Sequence, residues 1–481
     1  MTDYFLGIDL GTSGVKAGML NPMSMELNCV SMREYDDVPE QDPDILWERT
    51  IESIKESVRM LDDHGQVRAI GLSGQMHGAA LYDPDGMLIG PIINWKDEKR
   101  STKAIIEKMK RIMGDRTWDE LGTNISSGYT GAILFGIKEN DPDLFRQISH
   151  FVLPTDFLRG KLLGKNSYAT DQTNAFGTGL FNTKLNCWQE ELIERFQLPL
   201  NIFPEIHGSS QQAGAIAEEV ADLVGLQRGI PIIYGGGDNQ MSMLGSGLVG
   251  AGSPLLVNIG TAAQISRVIS KYQKYPGLDT RSYFQGSYAI VAASLAGGGS
   301  YKWLRDEARR AGVDIDYCEM DELASQIPPG AGGLVFCSGP TRQNPERKRG
   351  FYGNTALESS PAHRARAVME GVLMDLYTPF QILREDDHCN FMVGAGKGLQ
   401  KSRVWSRVTA DLFAKSVRIT NSESAVCGAA LMAALGAGYI DNLDEPVQSI
   451  ACQVEIIPEL ANARFYRDEF IPTWYTWVSE A

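Results

Sequence analysis

Two aspartates stand where apolar strands meet glycine. Asp9 closes Tyr4-Phe-Leu-Gly-Ile-Asp9 and leads into Leu10-Gly-Thr-Ser-Gly14, while Asp238 follows Ile230-Pro-Ile-Ile-Tyr-Gly-Gly-Gly237. Three glycine-rich turns, Gly11–Gly14, Gly260-Thr261 and Gly394–Gly398, each follow an apolar run. Glycine lets a backbone approach a phosphate closely, and the N–H groups of such turns point at its oxygens. Thr12, Ser13 and Thr261 add hydroxyl donors, and Lys16 adds a positive charge. Either carboxylate could hold Mg²⁺ alongside substrate phosphates, and the other could accept the proton of an attacking hydroxyl. Phosphoryl transfer asks for little beyond such positioning, charge neutralisation and a base. A lone Gly-Thr turn is more often only a hairpin, Asp9 alone serves equally well as a turn cap, and His77 alone reads as a buried structural histidine. Three successive glycines cost roughly 0.5–1 kcal/mol each relative to alanine, so the run before Asp238 asks for a functional reason.

These residues need a layered scaffold. Tyr4–Asp9 and Val15–Leu20 form a β-hairpin around the first turn. A helix follows, with Trp47, Ile51, Ile54, Val58 and Leu61 on one face at helical spacing. Ala69–Ser73 is a short buried strand ending in Gly74-Gln-Met-His-Gly78, and Ile230–Tyr234 is a strand whose glycines open a loop. Ile8-Asp-Leu-Gly-Thr12 is echoed 249 residues later by Val257-Asn-Ile-Gly-Thr261. That offset points to two related α/β domains joined near residue 246. In the second half, Pro361–Glu385, Val404–Val417 and Ala425–Ile440 read as helices, and Asn390–Val393 as a strand. No low-complexity linker separates the halves, so they pack closely around a cleft.

Composition narrows the classes. The 481 residues carry a formal charge of −15 with 43% hydrophobic residues, which excludes disorder and argues against nucleic-acid partners, since those require a basic footprint. Seven scattered cysteines without a CxxC pair read as reduced thiols in a cytosolic protein. The N-terminus lacks a secretion signal, and no apolar run approaches the ~20 residues of a membrane span. Gly245-Ser-Gly-Leu-Val-Gly250 fits G-x-G-x-x-G, but it does not open a helix directly after a strand. A nucleotide-dependent oxidoreductase therefore remains only a rival reading. Gly396-Lys397-Gly398 lacks the partners of a P-loop.

Phe5–Lys16, Gly74-Gln-Met-His-Gly78, Gly235-Gly-Gly-Asp-Asn239 and Ile259-Gly-Thr261 together, in order and spacing, resemble the FGGY family of carbohydrate kinases. The resemblance spans nearly the whole chain. It implies an α/β, actin/hexokinase-like ATPase fold of two ribonuclease-H-like domains with an interdomain cleft: an N-terminal sugar-binding domain over 1–246 and a C-terminal nucleotide-binding domain over 247–481. It implies ATP and Mg²⁺ as cofactors, a small-molecule sugar as partner, a cytoplasmic enzyme, and a homodimer as the family habit. Asp238 matches the catalytic base, and Asp9 and Asp238 the carboxylates near the metal. Gly11, Thr12, Ser13 and Lys16 match the first phosphate hairpin, Gly260 and Thr261 the second. Gly298, Gly394, Ala395 and Gly396 match residues near the nucleotide, with Asn421–Ala425 closing over its adenine side. Gln75, Met76 and His77, with Trp95, Asp97, Asp238 and Asn239, match the sugar contacts; Lys96 departs from a Trp-Asn-Asp element.

Gln-Met-His-Gly and Gly-Gly-Gly-Asp-Asn are shared with D-xylulose kinases. Asp171-Gln-Thr-Asn-Ala, Asn258–Gln264 and Val291–Gly298 resemble sedoheptulose kinases more. Ile133, Gly136 and Gly339-Pro-Thr-Arg-Gln343 depart from the xylulose pattern. The expectation is thus a ketose kinase acting on a terminal hydroxyl, with sedoheptulose slightly ahead of D-xylulose, and a non-catalytic sugar sensor on the same scaffold as the remote alternative.

Overall fold

The computed structural model describes residues 2–61, 65–294, 296–341, 344, 346–420, 423–443 and 452–479. Two mixed β-sheets dominate it. The first is built from β1 (Thr2–Leu10), β2 (Gly14–Asn21), β3 (Glu26–Glu34), β4 (Gly65–Gly74), β5 (Gln212–Ala215) and β6 (Pro231–Gly237), in the order β5-β6-β4-β1-β2-β3. The second contains β7 (Leu256–Ile259), β8 (Ala263–Ile269), β9 (Asp279–Ser282), β10 (Tyr288–Ser294), β11 (Phe391–Ala395), β12 (Ser416–Thr420) and β13 (Cys452–Ile456), in the order β9-β10-β8-β7-β11-β12-β13.

The pairing repeats. β1 and β2 form an antiparallel hairpin extended by β3, and β1, β4 and β6 run parallel. β7 and β8 likewise form a hairpin extended by β10, and β7, β11 and β12 run parallel. The short echo between Ile8–Thr12 and Val257–Thr261 marks equivalent hairpins. β9 has no counterpart in the first sheet.

Helix α1 (Pro43–Arg59) starts at an Asp42 cap whose carboxylate accepts the N–H groups of Asp44 and Ile45, with proline at its first position. Its buried Leu46, Ile51 and Ile54 join Leu6, Ile8 and Leu72 in one core. Helix α2 (Asp238–Gly245) leaves β6 directly. Helices α3 (Gly298–Arg310), α4 (Pro361–Leu383), α5 (Gly396–Lys401), α6 (Arg403–Phe413) and α7 (Ser424–Gly436) belong to the second half of the chain. Yet α7 lies against the first sheet. A methyl added at Gly7 would sit 2.1 Å from the Val426 carbonyl oxygen, and one at Gly71 1.9 Å from that of Ala429. α2 meets α7 the same way: a methyl at Gly245 would lie 1.9 Å from the Ser424 carbonyl oxygen, and one at Gly428 2.0 Å from that of Met241. Around them a single apolar cluster joins Phe5, Ala69 and Ile233 of the first sheet to Leu256, Val291 and Val393 of the second.

Several boundaries differ from the sequence reading. The glycines after Tyr234 continue β6, and Asp238 begins a helix rather than sitting in a loop. β3 has no clear signal, because its buried and exposed positions alternate without a run of apolar residues. The helix expected over Val404–Val417 stops at Phe413, where Ala414 takes a left-handed φ of 52°, and Ser416-Val417 enter β12. The helix expected to reach Ile440 ends at Gly436, and Leu61 lies just beyond α1.

Candidate active site

Asp9 and Asp238 emerge at the C-terminal ends of parallel strands, where open α/β sheets place their ligands. Asp9 is buried on β1, level with Ser73 of β4, whose hydroxyl donates to its Oδ1 at 2.8 Å. Burial raises its pKa above the usual carboxylate value, against the pull of Lys16 and the Ser73 hydrogen bond. Lys16 faces Asp9 across the hairpin and pairs with Glu423 at 2.6 Å. Burial works against its charge, but Asp9 and Glu423 hold its pKa above the ordinary value.

The glycine triplet has a steric cause. The β6–β4 register shifts between Ile233 and Gly236, and Gly235 takes a φ of +75° with its Cα packed on the Leu72 carbonyl. A methyl there would lie 1.8 Å from that oxygen; one at Gly236 would be 2.6 Å from Thr173 Oγ1, and one at Gly237 2.4 Å from Met76 Cγ. The Gly237 N–H donates to Thr173 Oγ1 at 2.8 Å, and that hydroxyl donates to the buried Asp171 at 2.5 Å. The next residue, Asp238, therefore starts its helix from a fixed point. Its Oδ1 accepts the Asn239 N–H at 2.7 Å. Burial, then the charge of Asp9, push its pKa up to about 7, against the Asn239 N–H and Arg281. A carboxyl poised there suits a general base.

The first glycine turn is held by its carbonyls. Tyr35 OH donates to Gly11 O, Gln41 Nε2 to Thr12 O at 2.8 Å, and the Tyr35 N–H to Ser13 O at 3.2 Å. Trp95 Nε1 donates to Thr12 Oγ1 at 2.9 Å. The second turn receives α3: the N–H of Gly298 donates to Gly260 O at 2.7 Å, and those of Gly297 and Gly299 to Thr261 O at 3.2 and 3.0 Å. Gly396, with φ +84°, packs here too, since a methyl on it would lie 2.4 Å from Asn258 Oδ1. Gly394 and Ala395 are buried within β11 and shape this loop from beneath. Lys397 is exposed. Asn421 and Ser422 lie outside the described residues; Glu423 pairs with Lys16, and Ser424 Oγ contacts Ser242 Oγ at 3.0 Å.

On the acceptor side, Gln75 is buried. Its amide donates to Gln41 Oε1 at 2.8 Å, while its own Oε1 has no hydrogen-bond partner among the described residues. His77 stacks on Tyr129, with ring centroids 4.4 Å apart, and its Nδ1 lies 2.5 Å from Gly177 O. Burial pushes its pKa down to about 4, so the ring is neutral at ordinary pH. Met76 is packed against Phe176 and Phe181 beneath Gly237. Asp97 is buried and paired with Arg100 at 2.7 Å; Lys96 pairs with Asp37. Asn239 bridges the halves, donating to Gln264 Oε1 on β8 at 2.6 Å and accepting from Arg281 at 3.2 Å. Gln41 and Arg281 escaped the sequence reading. Gln41 lacks any motif, and Arg281 arrives on β9, the strand outside the repeated pattern.

The donor set fits a magnesium nucleotide. Among the described residues no group of three or more histidine, cysteine or carboxylate side chains could hold a metal by itself, whereas Mg²⁺ is commonly held by one or two carboxylates plus substrate phosphates. Asp9 and Asp238 supply such carboxylates at the ends of β1 and β6.

The profile of the "FGGY family of carbohydrate kinases, N-terminal domain" matches residues 4–245, and that of its C-terminal domain residues 255–437. The xylulose kinase of Staphylococcus xylosus is 29% identical over 484 residues, covering 97% of this chain and 98% of the relative. Among solved structures, a gluconate kinase from Lactobacillus acidophilus superposes with a TM-score of 0.86 at 21% identity, over 99% of this chain and 97% of that one. A ligand-bound xylulose kinase from the same species gives 0.86 at 22%, over 98% and 97%.

Proposed function

Since this chain belongs to the FGGY family of carbohydrate kinases and is thus a sugar-phosphorylating enzyme, we propose that it transfers the γ-phosphate of ATP to a terminal hydroxyl of a ketose, with D-xylulose as the first candidate. The slight preference for sedoheptulose drawn from the sequence finds no support among the relatives, and the D-xylulose alternative fits them better. Residues 1–246 are read as the acceptor-binding domain and 247–481 as the nucleotide-binding domain.

Asp238 carries the reading: it is a half-buried carboxyl, the first residue of its helix, with a pKa near 7, beside Asp9 and the acceptor loop. As the acceptor oxygen attacks the γ-phosphorus, its O–H bond breaks and the proton passes to the Asp238 carboxylate; the P–O bond to the β-phosphate breaks and ADP leaves. Gln75, with an unfilled acceptor, the neutral His77 and Asn239 orient the sugar. Thr12, Ser13, Gly260, Thr261, Gly298 and Gly396 offer the turns for phosphate, and Lys16 a cation beside the first. Mg²⁺ bound with the nucleotide would supply charge neutralisation on the phosphates, held on the protein side by Asp9, while Asp238 faces the acceptor hydroxyl.

The test is ADP release with D-xylulose, sedoheptulose, D-ribulose, L-ribulose, D-gluconate and polyols at fixed ATP and Mg²⁺, comparing the unchanged protein with Asp238→Ala. Turnover on a ketose that the variant loses by at least 10²-fold is expected. An Asp238→Ala protein as active as the parent removes Asp238 as the base, and calorimetric sugar binding without any turnover favours the sensor reading.

A further inference from the structure

Arg281 belongs to the second sheet but sits among the acceptor residues of the first half. The strand that carries it, β9, is fastened there. The Thr280 N–H donates to Gly122 O at 2.8 Å, Thr123 Oγ1 to Asp279 Oδ1 at 2.9 Å, and Gln240 Nε2 to Ser282 O at 3.2 Å. The fit admits nothing larger, since a methyl on Gly122 would lie 1.9 Å from the Thr280 carbonyl oxygen. So anchored, the Arg281 guanidinium lies over the Phe176 ring at 5.5 Å and donates to Asn239 Oδ1. It is near enough to Asp238 and His77 to influence both charges.

Two features of this arginine, placed as it is beside Asp238, Asn239 and His77, bear on its role. Its side chain is 11% exposed, yet its Nε–H is buried with no hydrogen-bond partner among the described residues. Buried donors are normally satisfied, so this N–H is a donor that an acceptor oxygen of a ligand would satisfy. Second, its charge is already met. Asp279 Oδ2 lies 3.1 Å from its terminal nitrogen, and Thr123 holds the other Asp279 oxygen. The surroundings thus offer a directional donor with little net positive charge, beside the carboxyls of Asp9 and Asp238. A hydroxyl or keto oxygen of a neutral sugar satisfies such a donor. A carboxylate would meet a cation that is already neutralised.

Building on the ketose-kinase reading, we propose that the Asp279–Arg281 pair selects the acceptor: Arg281 Nε–H donates to an oxygen of a neutral sugar, and Asp279 cancels the guanidinium charge that would otherwise welcome an aldonate. The pair is specificity-determining and takes no part in bond making.

Steady-state kinetics with D-xylulose, sedoheptulose and D-gluconate on the parent, Asp279→Asn, Arg281→Lys and Arg281→Met test this. Asp279→Asn is nearly isosteric and frees the guanidinium charge, so the ratio of kcat/KM for D-gluconate to that for the best ketose is expected to rise at least tenfold. Arg281→Met is expected to raise the ketose KM by about 10–100-fold, as for loss of a charged hydrogen bond, with a smaller change in kcat and little change in the KM for ATP. Arg281→Lys keeps the charge without the directional Nε–H and falls between. Should Arg281→Met fail to fold by circular dichroism, the Asp279→Asn ratio decides alone. An unchanged ratio, or an Arg281→Met defect confined to kcat, overturns the proposal. A parent enzyme that ignores ketoses but accepts neutral polyols, run in the same panel, removes the ketose reading, and the pair then stands or falls on a tenfold rise in the D-gluconate to best-polyol ratio in Asp279→Asn. A parent that prefers D-gluconate overturns the pair's role outright.

Discussion

Replacing Asp238 with asparagine should abolish transfer and at the same time stabilise the protein, by an amount that depends on pH. The carboxyl is pushed from an ordinary 3.8 up to about 7, chiefly by burial and next by Asp9. The folded state therefore binds a proton more tightly than the unfolded chain. The associated stability is fully present below pH 3.8 and is lost as pH rises through 7. Each pKa unit is worth about 1.4 kcal/mol, which sets a ceiling of about 4 kcal/mol on the ionised carboxylate's cost above pH 7. Asp238 is half-buried rather than sealed, and cleft water screens its charge, so roughly 2 kcal/mol is expected. Asparagine keeps the shape and cannot ionise. Urea unfolding of parent and Asp238→Asn from pH 4.5 to 8.5 should show a gap that is small at the acid end, widens to a plateau near pH 8 and favours the variant. ADP release by the variant should fall by 10²-fold or more. A gap of the same size at both ends, or a parent that is the more stable at pH 8, would refute the reasoning that burial and Asp9 strain this carboxylate.

Three further substitutions probe the scaffold. Thr173→Val keeps the volume but takes the acceptor from the Gly237 N–H and the donor from Asp171; a fall in kcat with a smaller change in ketose KM is expected, along with a stability loss of about 1–3 kcal/mol in urea titration. Gly396→Ala forces a side chain into φ +84° and to 2.4 Å from Asn258 Oδ1, and should raise the KM for ATP at least tenfold while leaving sugar binding, read by calorimetry, near that of the parent. Gly7→Ala presses a methyl to 2.1 Å from the Val426 carbonyl; a thermal midpoint lower by several degrees, from overpacking of about 1–3 kcal/mol, is expected with no change in acceptor preference.

What the sequence disclosed and what it hid follow from the reach of each interaction. The hairpin turns were legible because glycine and hydroxyl residues act within a few positions of themselves, and the duplicated hairpin betrayed the repeated sheet. The meaning of Gly235–Gly237 was not. Those glycines are required by Leu72, Thr173 and Met76, partners 63 to 163 residues away, and no local pattern announces them. Nor could spacing show that α7, late in the chain, lies on the first sheet, although its small residues Ala429, Ala430 and Ala433 allow that approach to Gly7 and Gly71. Arg281 is one of two charged residues on a four-residue strand, and only the contacts of β9 with Gly122, Thr123 and Gln240 place it beside Asn239. Asp97 shows a further kind of hidden contact: its motif pointed to the sugar, and no spacing rule announced that its buried carboxylate also pairs with Arg100.

The separation of Asp9 from Asp238 is the feature that the sheet supplies and the motifs cannot. Asp9 lies on β1 level with Ser73 of β4, and β6 pairs on the other side of β4, Gly236 against Ser73 and Gly237 against Gly74. One strand therefore always stands between the two carboxylates, placing their backbones about 10 Å apart at ordinary strand spacing. Side by side they would behave as a dyad sharing one proton, with one partner strongly raised and the other lowered. Two strands apart, Asp9 still raises Asp238, but burial is the larger cause for both. In the proposed reaction each then acts alone, Asp9 toward metal-bound phosphate and Asp238 toward the acceptor hydroxyl, with room between them for the group in transit. A topology in which β1 and β6 were neighbours would keep every motif in the sequence and lose that division of labour.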